Sequence, residues 1–256
     1  MTTLIGVKTN IGPDAVVIAS DTQMSFLDEE RNPLSKKTFY KILTGDYWIL
    51  AHAGDGTEHL RRFCSRITYP DRFKNFGKDV LNKEIMTALD EKRYSRINNL
   101  NAECSLENAI KDDEDEEIEF VEFLFAIREE NSQNTKLHLY RIDSYGNLIP
   151  PNVGSSYLVL GTSKKKIKEY LTEHVDEGES YKSGNLDLET SIDLCDNVLE
   201  KFSETDIYSG GLMDFAVLTR DKIFHYGEDL KRDLRDFRKK RLSEMVKEII
   251  PDSSNK

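Results

Sequence analysis

The chain opens Met1-Thr2-Thr3-Leu4. A small residue after an initiator methionine permits removal of that methionine, which leaves Thr2 as the first residue. An N-terminal threonine carries a hydroxyl and a free α-amine on one residue. The amine titrates at about 7.7–8.0 in model compounds, so a good fraction is neutral at working pH. It can take the hydroxyl proton through a bridging water, and the oxygen can then attack a carbonyl.

Other residues can serve such a nucleophile. Asp21 ends the apolar run Ala15-Val16-Val17-Ile18-Ala19. A carboxylate there either caps a loop or orients a cation. Lys36, Lys37 and Lys41 follow on or beside the next strand. One of them, drawn inward by Asp21, would lower the pKa of the amine and the hydroxyl by its field; otherwise all three are surface residues. Leu50-Ala51-His52-Ala53-Gly54-Asp55-Gly56 passes from strand to helix. Its small residues let backbone amides approach a ligand, as in an oxyanion hole, or simply make a compact connection. His52 and His59 lack a convergent third ligand for a metal. In Asp206-Ile207-Tyr208-Ser209-Gly210-Gly211 the glycines favour a positive-φ turn, and Asp206 and Ser209 can bond each other. No P-loop, dinucleotide fingerprint or GxSxG elbow is present.

The elements that must position these residues follow from periodicity. Thr3 to Thr9 and Ala15 to Ala19 read as strands around the turn Asn10–Asp14. The second is apolar without alternation, as in a strand buried on both faces. Lys37 to Leu43 and Tyr47 to Ala53 read as a hairpin around Thr44-Gly45-Asp46. Apolar residues at helical spacing predict helices through Leu60–Ile67 and Val80–Leu89. A second β block is expected at Phe120–Ile127, Lys136–Ile142 and Tyr157–Leu160. A helix follows around Ile167, Tyr170 and Leu171, and another through Leu188, Ile192, Cys195, Leu199 and Phe202. A hairpin at Asp214–Thr219 and Lys222–Tyr226, and a helix from Glu228 to Ile250, complete the order. Strands in blocks exclude a doubly wound parallel sheet and predict an α+β layered fold.

Composition bounds the remaining choices. The 256 residues carry a net charge of −11 and are 38% hydrophobic, enough for one large core. The acidity argues against nucleic acid, which needs clustered cations, and against an anionic membrane. No apolar run reaches the ~20 residues of a membrane helix, and the first residues lack a secretion signal. Three scattered cysteines, Cys64, Cys104 and Cys195, exclude a disulfide framework and a zinc site. The expected location is cytoplasmic. The run Asp112-Asp113-Glu114-Asp115-Glu116-Glu117 reads as a solvated loop.

Six stretches in order resemble the proteasome β-subunit family of N-terminal-nucleophile hydrolases. They are Thr2–Val7, Val16–Thr22, Lys36–Ile42, Ile49–Asp55, Leu160–Ser163 and Asp206–Gly211. The resemblance runs to about residue 230. It implies an α+β four-layer αββα sandwich over residues 1–230, with an acidic insertion at about 105–119 and a helical extension over 231–256.

The resemblance also implies roles. Thr2 aligns with the nucleophile, Asp21 with the aspartate that holds the catalytic lysine, and Lys37 with that lysine. A strict count back from Ile42 reaches Thr38, and Lys36 is a further option. Thr162 takes the place of a supporting serine, and Asp206 and Ser209 buttress the amine. The oxyanion amide comes from His52 to Gly54, where Ala51-His52 replaces the family's Ala-Gly. The implied activity is cleavage of an amide, most simply a peptide bond, with no metal or organic cofactor. Expected partners are a peptide or protein substrate, other copies in a ring, and an ATP-dependent unfoldase or proteasome-like subunits. The alternatives are a non-catalytic assembly subunit, a transpeptidase, and a small-molecule amidohydrolase.

Overall fold

The computed structural model describes residues 3–27, 33–38, 41–54, 121–131, 134–142, 148–161, 163–176, 186–205, 213–226 and 235–250. Twelve strands are described among them: β1 (Thr3–Lys8), β2 (Ala15–Asp21), β3 (Gln23–Leu27), β4 (Pro33–Thr38), β5 (Ile42–Thr44), β6 (Trp48–Gly54), β7 (Val121–Asn131), β8 (Asn134–Ile142), β9 (Leu148–Ile149), β10 (Tyr157–Gly161), β11 (Met213–Thr219) and β12 (Ile223–Tyr226). Helices α1 (Lys164–Leu171), α2 (Leu188–Thr205) and α3 (Arg235–Ile249) accompany them, and a π-helical turn, Thr172–Asp176, extends α1.

Two five-stranded antiparallel sheets dominate. The first has the order β10-β1-β2-β11-β12 and the second β5-β6-β7-β8-β9. Among the described residues, strands β3 and β4 pair only with each other, as a two-stranded ribbon. The protein is therefore of the α+β class, as the blocked strand order predicts.

Side-chain alternation sorts the first sheet's residues into two cores. Ile5, Val17, Ala19 and Phe215 point into a cluster with Ile167, Leu188, Cys195 and Leu199 of the helices. Leu4, Val16, Ile18 and Ala216 point the other way, against Ile49, Ala51, Leu124 and Leu139 of the second sheet. All seven residues of β2 are buried, so its unbroken apolar pattern reflects cover on both faces. The sheets approach closely at Gly6, where an added Cβ would stand 3.0 Å from Leu139 Cδ1.

Most expected elements are present near their expected limits, and the helix through Leu188 and Phe202 buries the residues its spacing selects. Two expectations change. The expected strand Lys37–Leu43 is divided: β4 turns back on β3, and β5 begins at Ile42. The polar connection Phe26–Pro33 contributes both its ends to that ribbon. The terminal helix is described from Arg235, residues 228–234 lying outside the described residues, and its Leu242 and Met245 join the helix-side core. The helices expected at Leu60–Ile67 and Val80–Leu89 and the acidic run lie outside the described residues, as do Cys64 and Cys104.

Candidate active site

One end of the first sheet gathers the residues of interest. In register, Leu4 pairs with Ser20 and Thr3 with Gly161. Met213 pairs with Asp21. The chain thus enters β1 at Thr3, leaves β2 at Asp21, leaves β10 at Gly161 and enters β11 at Met213, all at one edge. Gly161 has φ 104°, a left-handed value that glycine adopts without strain, and it ends β10 immediately before Thr162.

Asp21 is the centre of the arrangement. It is 1% exposed, and its Oδ1 accepts two hydrogen bonds. The Thr3 N–H donates to it at 2.8 Å and Lys41 Nζ at 2.9 Å. Lys41 is itself 2% exposed, so this is a fully buried ion pair. Burying either charge alone would cost several kcal/mol. Thr3, Ser20 and Thr22 around the pair are also buried, and Ser20 Oγ donates to the Asp21 carbonyl at 2.6 Å.

Lys41 is the lysine that the structure places on Asp21. The resemblance implies that part for Lys37, which lies on β4 opposite Met24, with its side chain outside the described residues. What brings Lys41 to Asp21 is the division of the expected strand. Had Lys37 to Leu43 run straight, Lys37 and Lys41 would share a face and period alone could not separate them. The chain instead breaks after β4, and Lys41 is the last residue before the second sheet begins. A usable signal was present: Lys41 directly precedes the apolar pair Ile42-Leu43, where a strand buried in a core starts.

Lys41 also reaches the nominated oxyanion turn. Its carbonyl accepts a hydrogen bond from the His52 N–H at 3.3 Å, one rung beyond the β5–β6 ladder. The His52 amide is therefore engaged in pairing strands. His52 is 2% exposed, on the side of β6 opposite Ala51 and Ala53. Gly54 closes β6 opposite Val121.

Thr2, Thr162, Asp206 and Ser209 lie outside the described residues, as does the side chain of Lys36. In the sequence Thr2 precedes Thr3, Thr162 follows Gly161, and 206–209 falls between Thr205 of α2 and Met213 of β11. No cluster of three or more His, Cys, Asp or Glu side chains among the described residues is arranged to hold a metal. No helix among them is long and apolar enough to cross a membrane.

Comparison of the sequence with models of protein families and with curated proteins finds no match.

Proposed function

We propose that the protein is an N-terminal threonine hydrolase that cleaves an amide through an acyl-enzyme. The observation that carries this reading is the buried Asp21, whose one oxygen binds both the Thr3 N–H and the Lys41 ammonium. That oxygen fixes the backbone one residue from Thr2. It also holds the Lys41 ammonium in a water-poor setting, where a charge acts strongly.

In this mechanism Met1 is removed and Thr2 Oγ attacks the substrate carbonyl. Its proton passes to the Thr2 α-amine. Lys41 lowers the pKa of both groups through its field, and Asp21 keeps Lys41 in place. The tetrahedral oxyanion is met by the Gly54 amide, since the His52 N–H bonds Lys41 and Ala53 pairs with Glu122 of β7. Collapse expels the leaving amine, which takes the proton from the α-amine. Water then attacks the Thr2 ester and restores the hydroxyl. Thr162, Asp206 and Ser209 support the amine.

The finer fold belongs to the same proposal. The face of the second sheet away from the first is itself buried, with Leu50, Phe125 and Ile142 at 0% exposure. Such burial supports a further layer on that face, and hence the αββα order. A ring of copies restricting access to the site completes the reading.

Intact mass before and after incubation with a β-lactone tests it. The expected result is a protein lacking Met1 that gains one adduct, mapped to Thr2 and absent in Thr2→Ala. A retained Met1 with no adduct overturns the hydrolase reading in favour of a non-catalytic assembly subunit.

A further inference from the structure

A second buried acid lies behind the candidate site. Asp214 is the second residue of β11, pairs in register with Ser20 and is 0% exposed. Alternation puts it on the face toward the second sheet, opposite to the face that carries Asp21. Its Oδ1 lies 2.7 Å from Nε2 of His225, whose side chain is 33% exposed. Its Oδ2 is buried and has no hydrogen-bond partner among the described residues.

A buried carboxylate requires a countercharge or a full set of donors. Asp214 has one donor, and that donor gains or loses a proton between about pH 5 and 8. Among the described residues the titratable surroundings are these. β2 offers Ser20, which is uncharged, with Asp21 on the far face bound to Lys41. β7 carries Glu122 at the register position opposite Ala53, and Arg128 of that strand bonds Thr219 O at the other end of β11. β5 carries no charged residue, and on β6 His52 is turned away from this space.

We infer that Asp214 and His225 are positioning residues for the Asp21 site: the charged His225–Asp214 pair holds the start of β11, and the Met213–Asp21 rung passes that hold to the Asp21–Thr3–Lys41 knot. When His225 loses its proton, Asp214 keeps a buried charge without a counterion. The start of β11 then opens more often, and Asp21 is held less firmly. The inference rests on the hydrolase reading for its catalytic meaning, and on geometry alone for the coupling.

The experiment is amide exchange of Thr3, whose N–H bonds Asp21, followed by NMR in the full chain across the His225 transition. The wild type is expected to lose protection roughly tenfold, corrected for intrinsic exchange, as His225 deprotonates. His225→Gln is expected to be weakly protected at every pH. His225→Lys, a lasting cation, is expected to stay protected above the transition, and Asp214→Asn to lose the pH dependence. Protection that does not change across the transition, or a transition that survives in His225→Gln, overturns the inference. The rate of β-lactone addition to Thr2 is read in parallel and follows the same pH limb. Absence of any adduct at every pH defeats the hydrolase reading, while the exchange data still decide the coupling.

Discussion

Asp21 and Lys41 stand twenty residues apart in the chain and 2.9 Å apart in space, each almost wholly excluded from water. The ribbon β3–β4 lies between them in the chain, so Asp21 precedes it and Lys41 follows it. The pair serves position more than stability. A buried ion pair roughly breaks even against well-packed apolar residues, whereas removing one partner strands the other.

Lys41→Met is therefore expected to cost about 3–5 kcal/mol in chemical denaturation and to abolish Thr2 acylation. Asp21→Leu combined with Lys41→Met is expected to recover most of the stability and none of the acylation. Lys37→Met is expected to retain both properties. Acylation that survives in Lys41→Met and vanishes in Lys37→Met would return the role to Lys37.

The far end of the sandwich has its own fastening. Arg128 NH2 donates to Asp46 O at 3.0 Å and NH1 to Thr219 O at 3.5 Å, with the guanidinium 4.8 Å from the Tyr47 ring centre. It ties the β5–β6 turn and the end of β11 to β7. Arg128→Ala leaves those carbonyls without this donor and is expected to cost about 1–3 kcal/mol. Because Thr219 lies at the opposite end of β11 from Met213, the acylation rate is expected to stay unchanged in folded protein.

Gly45 tests the same turn by volume. A Cβ added there would fall on the Trp48 indole. Gly45→Ala is expected to displace Trp48, the only tryptophan in the sequence. A red shift in tryptophan emission with a lowered Tm would report it, and an unshifted spectrum would contradict the close approach.

Alkaline pH is expected to destabilise the fold. Burial, followed by the neighbouring Asp196, pushes the Cys195 thiol well above its ordinary 9.0. Burial, followed by the hydrogen bond to Glu248, raises Tyr226 above its ordinary 10.0. Both groups are held neutral in the fold, so their contribution is complete below the unfolded values and lost as pH rises past them. Tm is expected to fall above about pH 9, less steeply in Cys195→Ala. Cys195 of the native protein is expected to resist thiol alkylation that the unfolded chain accepts, and ready alkylation mapped to Cys195 in the native state would contradict its burial.

Much of this architecture is legible in the sequence because its signals are local. The unbroken apolar β2 declared a strand covered on both faces, and the spacing of Leu188, Ile192, Cys195, Leu199 and Phe202 declared a buried helix face. Asp21 was legible as a carboxylate ending an apolar strand. Its partner was less so, because the choice among Lys36, Lys37 and Lys41 depends on where the chain breaks between two sheets. The Asp214–His225 pair was illegible for a related reason. It joins two strands of a recognised hairpin, but only three-dimensional cover makes Asp214 costly and so informative.

The order of strands in the first sheet bears on how the protein is made. β1 and β2 emerge from the ribosome before the other strands, yet they are flanked by β10 and β11, whose residues are synthesised more than 130 positions later. A nascent chain that ends after β9 holds only two of that sheet's five strands. Closing such distant pairings is slow and comes late in folding. The edge that carries Thr3, Asp21, Gly161 and Met213 is therefore completed only after β11 has been translated.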